Sequence, residues 1–210
     1  MRWDLPEVIP VPFKTGALTL TNSNTASDTL LFFRSWLTRP LEVASIAPSG
    51  KRLAAAMTAE VGPSTGHVLE LGPGTGTFTR RLLQDGIDED TLILVERNPT
   101  FAALLRQRFP KATLVEDDAR HFRLPAADTI GAAISGLPLL SMPKPVVRDI
   151  LAAVFRHLAD DACLFQFTYG PRCPVPAQIL ETLDLEASFR RWVPFNLPPA
   201  SVYRIRRRKL

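Results

Sequence analysis

The sequence predicts a doubly wound α/β domain, a mostly parallel sheet of seven strands with helices on both faces. Three observations carry this. From His67 onward, short apolar runs alternate with segments of helical periodicity. The first apolar run ends in a turn with glycine at 72, 74 and 76, and a helical segment follows it at once. Two late apolar runs follow one short helix, which gives an antiparallel pair at the edge of the sheet.

The elements follow in order. Residues 1–27 are rich in Pro, Thr, Ser and Asn and read as a mobile arm. Asp28 is an N-cap for a helix over Thr29–Arg39, which Pro40 stops. A second helix runs over about Lys51–Glu60. The expected organisation is therefore an arm (1–27), an N-terminal helical extension of amphipathic helices forming a membrane or substrate lid (28–62), and the α/β domain (63–210). Within that domain strands are expected at His67–Leu71, Thr91–Val95, Ala112–Val115, Thr129–Ser135 and Ala162–Tyr169. Helices are expected at Thr77–Gln84, Pro99–Phe109 (with Pro99 in its first turn), Lys144–Leu158 and Pro176–Leu183. Glu186–Phe195 and Ser201–Arg206 close the sheet.

The 210 residues suit one folded domain, with 46% hydrophobic and 22% charged residues. A net charge of +4 leans toward anionic partners, nucleic acid or an acidic membrane surface. Two cysteines make neither a disulfide framework nor a metal cluster, and fit a reducing, cytoplasmic setting. No signal peptide is visible, and no apolar run reaches the roughly 18–20 residues that span a bilayer. No metal is expected.

The strongest chemical signal is Val68-Leu-Glu-Leu-Gly-Pro-Gly-Thr-Gly76. Gly72, Gly74 and Gly76 let the backbone turn sharply and let a ligand approach without meeting a side chain. Thr77 opens the helix behind them. The spacing is G-x-G-x-G, and Glu70 stands two residues before the first glycine. A carboxylate there repels a pyrophosphate and attracts the ammonium of an amino-acid moiety, as in S-adenosylmethionine. The next strand ends at Glu96-Arg97, where an acidic side chain accepts hydrogen bonds from both hydroxyls of a ribose. After the third strand comes Glu116-Asp-Asp-Ala119. There Asp118 is placed to take an adenine amino group, with the backbone to Ala119 beside the ring and Asp117 as the alternate. Taken singly, each piece is as easily a turn, a solvated carboxylate or a cap. Their order on alternating strands is the evidence.

These residues resemble motif I and its companions in Rossmann-like class I methyltransferases. The resemblance implies that S-adenosylmethionine lies over the strand ends, with S-adenosylhomocysteine as product. Ser135 and Gly136, at the end of the fourth strand, join the cofactor-binding set. In amino methyltransferases acting on bases that strand end carries N-P-P-Y or D-P-P-Y, and in the rRNA adenine dimethylases N-L-P-Y. Here it reads Gly136-Leu137-Pro138-Leu139, without the Asn/Asp amide or acid and without the aromatic that hold and stack a base. Asn196-Leu-Pro-Pro199 has the look of that motif but lies between the two last strands and reads as a turn.

Four blocks together resemble the soluble, peripheral bacterial phospholipid N-methyltransferases: Phe32-Phe-Arg-Ser-Trp-Leu37, Val43-Ala-Ser-Ile-Ala-Pro-Ser49, Gly136-Leu-Pro-Leu-Leu140 and Gln166-Phe-Thr-Tyr-Gly-Pro171. The similarity implies successive methylation of the amine of phosphatidylethanolamine to phosphatidylcholine, at the cytoplasmic face of the membrane. It implies acceptor contacts from Phe32, Trp36, Ser49, Leu137, Pro138, Leu139 and Arg172, the last holding the lipid phosphate, with Arg34 and Arg204 as weaker candidates. Tyr169, at the end of the fifth strand, is the expected catalytic residue, passing on a proton or facing the growing quaternary ammonium. The helix over 29–39 mixes aromatics with arginines, as a helix lying on anionic lipid does, although such spacing also suits a helix that covers the sheet. No obligate protein partner and no nucleic acid are expected. Three other readings stay open: an RNA adenine N6-methyltransferase resembling the rRNA dimethylases, an amino-acid-containing lipid as acceptor, and a non-catalytic membrane-binding scaffold. The basic end Arg204-Ile-Arg-Arg-Arg-Lys209 suits either phosphate attraction or a solubilised edge strand.

Overall fold

A computed structural model describes residues 47–124 and 130–209. The arm, the expected helix over 29–39, and with them Phe32, Arg34 and Trp36, lie outside the described residues. Of Ser49 only the backbone is described, in the first turn of a helix.

The seven strands form one sheet in the order β3-β2-β1-β4-β5-β7-β6. They are β1 (His67–Leu71), β2 (Leu92–Val95), β3 (Thr113–Val115), β4 (Ile130–Ser135), β5 (Leu158–Tyr169), β6 (Leu185–Val193) and β7 (Ala200–Arg207). Strands β1 to β5 run parallel, and β7 enters antiparallel between β5 and β6. This is the Rossmann-like methyltransferase architecture. The α-helices among the described residues are α1 (Ala47–Thr58), α2 (Thr77–Gln84), α3 (Pro99–Arg108), α4 (Lys144–His157) and α5 (Ala177–Thr182). Strand β5 begins four residues before the expected Ala162, because Leu158, directly after α4, already pairs with Ile130.

Alternation along the strands splits the core in two. Leu69, Leu71, Ala133 and Leu164 face α4, meeting Val147, Leu151 and Val154. Val68, Leu94, Ile134, Phe165 and Phe167 face the other way, toward Phe78 and Leu82 of α2 and Leu105 of α3. Helix α1 joins this second layer through Leu53, Ala54 and the fully buried Met57. Its inner face is thus part of the sheet's own core, and Gly50 in its first turn lies beside Thr77 at the start of α2.

The basic C-terminal run is taken up by the protein itself. Arg204 pairs with Glu60 and Arg206 with Glu186. Arg207 donates to the carbonyls of Phe155, Leu158 and Ala159, where α4 gives way to β5, and Arg208 donates to the carbonyl of Leu185. These arginines close the α4 end and the sheet edge. Arg207 and Arg208 lie at the amino-terminal end of the parallel strands, away from the glycine turn.

Candidate active site

The parallel strands deliver their carboxyl ends to one rim, and the turns there are laced by backbone bonds. Gly72 N–H donates to the carbonyl of Val95 at 2.9 Å, and Gly136 N–H to that of Leu71 at 2.8 Å. The glycines divide the work. A Cβ on Gly136 would sit 2.7 Å from the carbonyl oxygen of Gly72, so glycine there allows two strand ends to touch. A Cβ on Gly76 would strike the ring of Phe109 at 2.4 Å. Gly74 has φ +55°, yet a Cβ there would meet nothing within 4 Å among the described residues. Its space opens onto the rim, as the approach of a ligand requires.

Glu70 is fully buried beneath α2. Its Oε2 accepts a 2.7 Å bond from the hydroxyl of Thr79, while Oε1 has no partner among the described residues. Burial raises its pKa to about 7, against the pull of the Thr79 hydroxyl and Arg80. An unpartnered buried carboxylate oxygen is costly unless a cation or donor meets it. The ammonium of an amino-acid cofactor answers that need. Glu96, 8% exposed, accepts from Gly74 N–H at 3.1 Å and Asn98 N–H at 2.8 Å. It therefore joins the end of β2 to the glycine turn, and each oxygen keeps a lone pair for a hydroxyl. Asn98 caps α3 through Thr100 N–H.

The third position differs from expectation. Both oxygens of Asp118 are already engaged. Oδ1 accepts from the backbone and Nε of Arg120, and Oδ2 from Nη2 of Arg120 at 2.9 Å and Arg97 at 3.2 Å. These guanidinium bonds hold its carboxyl well below the usual range. Arg97 thus serves as a clasp from the β2 turn to the β3 turn. Its side chain is largely exposed, so the clasp is loose. Asp117 caps the N–H of Asp118 at 2.6 Å through Oδ1. Ala119 is half-buried against the core beneath this turn.

On the acceptor side, Ser135 is buried and accepts from Leu137 N–H at 3.3 Å, and Leu137 and Pro138 are half-buried at the rim. Leu139 turns inward instead. It is 2% exposed in the α4 core, so it anchors the loop rather than lining a ligand surface, and Leu140 is the exposed neighbour. Arg172 is exposed in the loop after β5. Tyr169 ends β5 on the α2 face. An aromatic ladder joins it through Phe167 at 5.4 Å to Phe78 at 6.1 Å, in the first turn of α2. Burial pushes the Tyr169 hydroxyl up to about 12. It therefore stays a neutral phenol at physiological pH.

Two residues escaped the sequence reading. Thr79 holds Glu70, and only its place in the first turn of a helix after the glycines hints at it. Gln166 is wholly buried in β5 beside Ser135; its Nε2 donates to the carbonyls of Leu137 and Phe167, and Oε1 has no partner among the described residues. A single amide between Phe165 and Phe167 in an apolar strand was the available signal.

Comparison with known proteins agrees with this fold. A family model described as a methyltransferase domain matches residues 68–161. The fold is similar to a TehB-like S-adenosylmethionine-dependent methyltransferase from Corynebacterium glutamicum, with TM-score 0.59 and 16% identity over 87% of this chain and 99% of that one. It is similar also to the 1,6-didemethyltoxoflavin-N1-methyltransferase of Burkholderia thailandensis, with TM-score 0.62 and 16% identity over 88% and 89%. The chain belongs to the class I S-adenosylmethionine-dependent methyltransferases, with S-adenosylmethionine as cofactor. Among its relatives, the ornithine lipid N-methyltransferase of Singulisphaera acidiphila is 32% identical over 188 residues, 84% of this chain and 94% of the relative. The probable ribosomal RNA small subunit methyltransferase A of Haloquadratum walsbyi is 42% identical over 95 residues, which is 42% of this chain and 30% of that protein.

Proposed function

We propose that this enzyme methylates the amine of a lipid headgroup. Phosphatidylethanolamine and its mono- and dimethyl derivatives, leading to phosphatidylcholine, are the substrates the sequence favours, and an ornithine lipid is the related acceptor. The observation that carries the reading is the similarity to a lipid N-methyltransferase across nearly the whole of both chains. The similarity to ribosomal RNA methyltransferases spans less than half of this chain. The strand end Gly136-Leu137-Pro138 supports the same choice, since it has neither the amide nor the aromatic that would hold a base.

S-adenosylmethionine supplies an electrophilic methyl group on its sulfonium. The chain's own residues do the rest. Glu70 Oε1 holds the cofactor ammonium, Gly74 leaves room for it, and Glu96 accepts from the ribose hydroxyls. Asp117 takes the adenine amine, or Asp118 does in exchange for its exposed bond to Arg97. Arg172 is offered to the acidic group of the lipid. A headgroup amine must lose a proton before its lone pair can attack. Exclusion from water at the rim, the same effect that raises the Tyr169 hydroxyl, favours that loss. Tyr169 acts as a neutral relay: its oxygen takes a proton from the ammonium as its own hydroxyl proton passes to water at the rim. It also turns an aromatic face to the methylated product.

The test is transfer of labelled methyl to phosphatidylethanolamine and to ornithine lipid in detergent micelles, beside unmodified ribosomal RNA. Label in one or both lipids supports the reading and identifies the headgroup. Label in RNA alone overturns it.

A further inference from the structure

We propose that the hairpin joining β6 and β7 is a docking tip that seats the catalytic rim on an anionic lipid surface. The purpose of such a contact rests on the lipid-headgroup reading above, but its geometry does not.

The register fixes where the hairpin lies. Tyr169 pairs with Ala200, and Ala200 with Val193, so the loop over 194–199 leaves the sheet at the same rim as the glycine turn, beside Tyr169. Its two outermost side chains are apolar. Phe195 is 75% exposed and Leu197 76%, and Trp192 just before them is 44% exposed. Between them Asn196 is buried. It donates through Nδ2 to the carbonyl of Pro198 at 2.7 Å and through its N–H to that of Val193 at 3.2 Å. Asn196 turned inward leaves Phe195 and Leu197 turned outward on a tip that is already ordered, so insertion loses little conformational freedom.

Charge stands around this tip in the matching sense. The guanidinium of Arg52 lies 5.2 Å above the ring of Phe195. Arg52, Arg191, Trp192, Pro194 and Phe195 border a groove of about 280 Å³, and no carboxylate of the described residues lines it. Arginine suits a phosphodiester, and tryptophan is at home in the headgroup layer. Apolar side chains flanked by two arginines fit a bilayer of anionic phospholipid. A second copy fits poorly. Two such tips would bring arginines together, and a stable interface takes about 800 Å² from each partner, more than one six-residue loop offers.

The experiment is flotation of the full chain with vesicles of phosphatidylglycerol and phosphatidylcholine, against phosphatidylcholine alone. The wild type is expected to float with the anionic vesicles. F195S/L197S is expected to bind them at least tenfold more weakly, and R52Q/R191Q to lose the preference for anionic lipid. Both should keep the wild-type melting temperature. F195S/L197S should keep its activity toward micelle-dispersed lipid within about twofold. In a W3F/W36F background, Trp192 fluorescence should be quenched by brominated lipid. The proposal is overturned if F195S/L197S floats like the wild type, if Trp192 is not quenched, or if the substitutions abolish self-association while leaving vesicle binding intact. Hairpin-dependent flotation without any lipid methylation would sink the lipid-headgroup reading and leave the docking surface standing. Lipid methylation with hairpin-independent flotation would do the reverse.

Discussion

The carboxylate of Glu96, at the end of β2, accepts a 3.1 Å hydrogen bond from the backbone N–H of Gly74. One side chain thus sets the shape of the glycine turn and offers its remaining lone pairs to a diol. Removing it should harm binding more than folding. E96A is expected to weaken S-adenosylhomocysteine binding on the order of 100-fold, as loss of two hydrogen bonds to a charged group implies. E96Q, whose amide oxygen can still accept from Gly74, should lose about tenfold. Titration calorimetry on both variants measures this, and equal losses would mean that the charge contributes nothing.

Glu70 makes cofactor affinity and protein stability respond to pH in opposite directions. Its pKa is raised to about 7 by burial, from 4.5 in the open chain. In the cofactor-free protein its contribution to stability is fully present below pH 4.5 and is lost as pH rises through 7, a change on the order of 3 kcal/mol. The ammonium of the cofactor favours the ionised form, so binding below pH 7 must release a proton. Affinity is expected to rise as pH approaches 7 and to level off above it. Calorimetry in buffers of different ionisation enthalpy should detect about one proton released at pH 6 and almost none at pH 8.5. E70Q should weaken binding and flatten both profiles.

The glycines separate packing from ligand approach. G74A adds a methyl group that meets no protein atom, at a positive φ that costs roughly 1–2 kcal/mol. It should fold, with a modestly lower melting temperature, and fail to bind cofactor. G136A forces a methyl group against the Gly72 carbonyl and should lose about 3 kcal/mol or more from stability itself. Chemical denaturation of both variants, with and without S-adenosylhomocysteine, distinguishes the two. If G74A gains as much from the ligand as wild type does, Gly74 does not face it.

Glu70, the glycine turn and Glu96 were legible in the sequence because their positions follow from strand and helix period alone. Each sits at the end of an apolar run or one residue short of it. Features set by side-chain direction were not legible. Leu139 and Leu140 are equally apolar, and only the turn after β4 decides which faces the core. Asp118 reads as a free acid because its partners, Arg97 and Arg120, come from a separate turn and from its own. Asn196-Leu-Pro-Pro199 is the turn the sequence suggested. That it rises beside Tyr169 depends on strand order, which adjacency in the chain does not reveal.

Tyr169 tests the acceptor side without disturbing the cofactor side. Its hydroxyl, pushed up to about 12, is no base at neutral pH, and a phenolate mechanism would demand a rate still climbing beyond pH 10. A neutral hydroxyl that only orients and relays predicts a rate that rises as the substrate amine deprotonates and then levels off. Y169F keeps the ring and its contact with Phe167, so folding and cofactor affinity should hold. Turnover should fall by about 100-fold, the lower end of what a positioned proton relay contributes. Trimethylated product should bind Y169F as well as wild type, because the aromatic face survives, and Y169L more weakly. Steady-state rates on micellar lipid, with product affinity measured separately, check both halves. Wild-type turnover in Y169F would leave Tyr169 a packing residue at the end of β5.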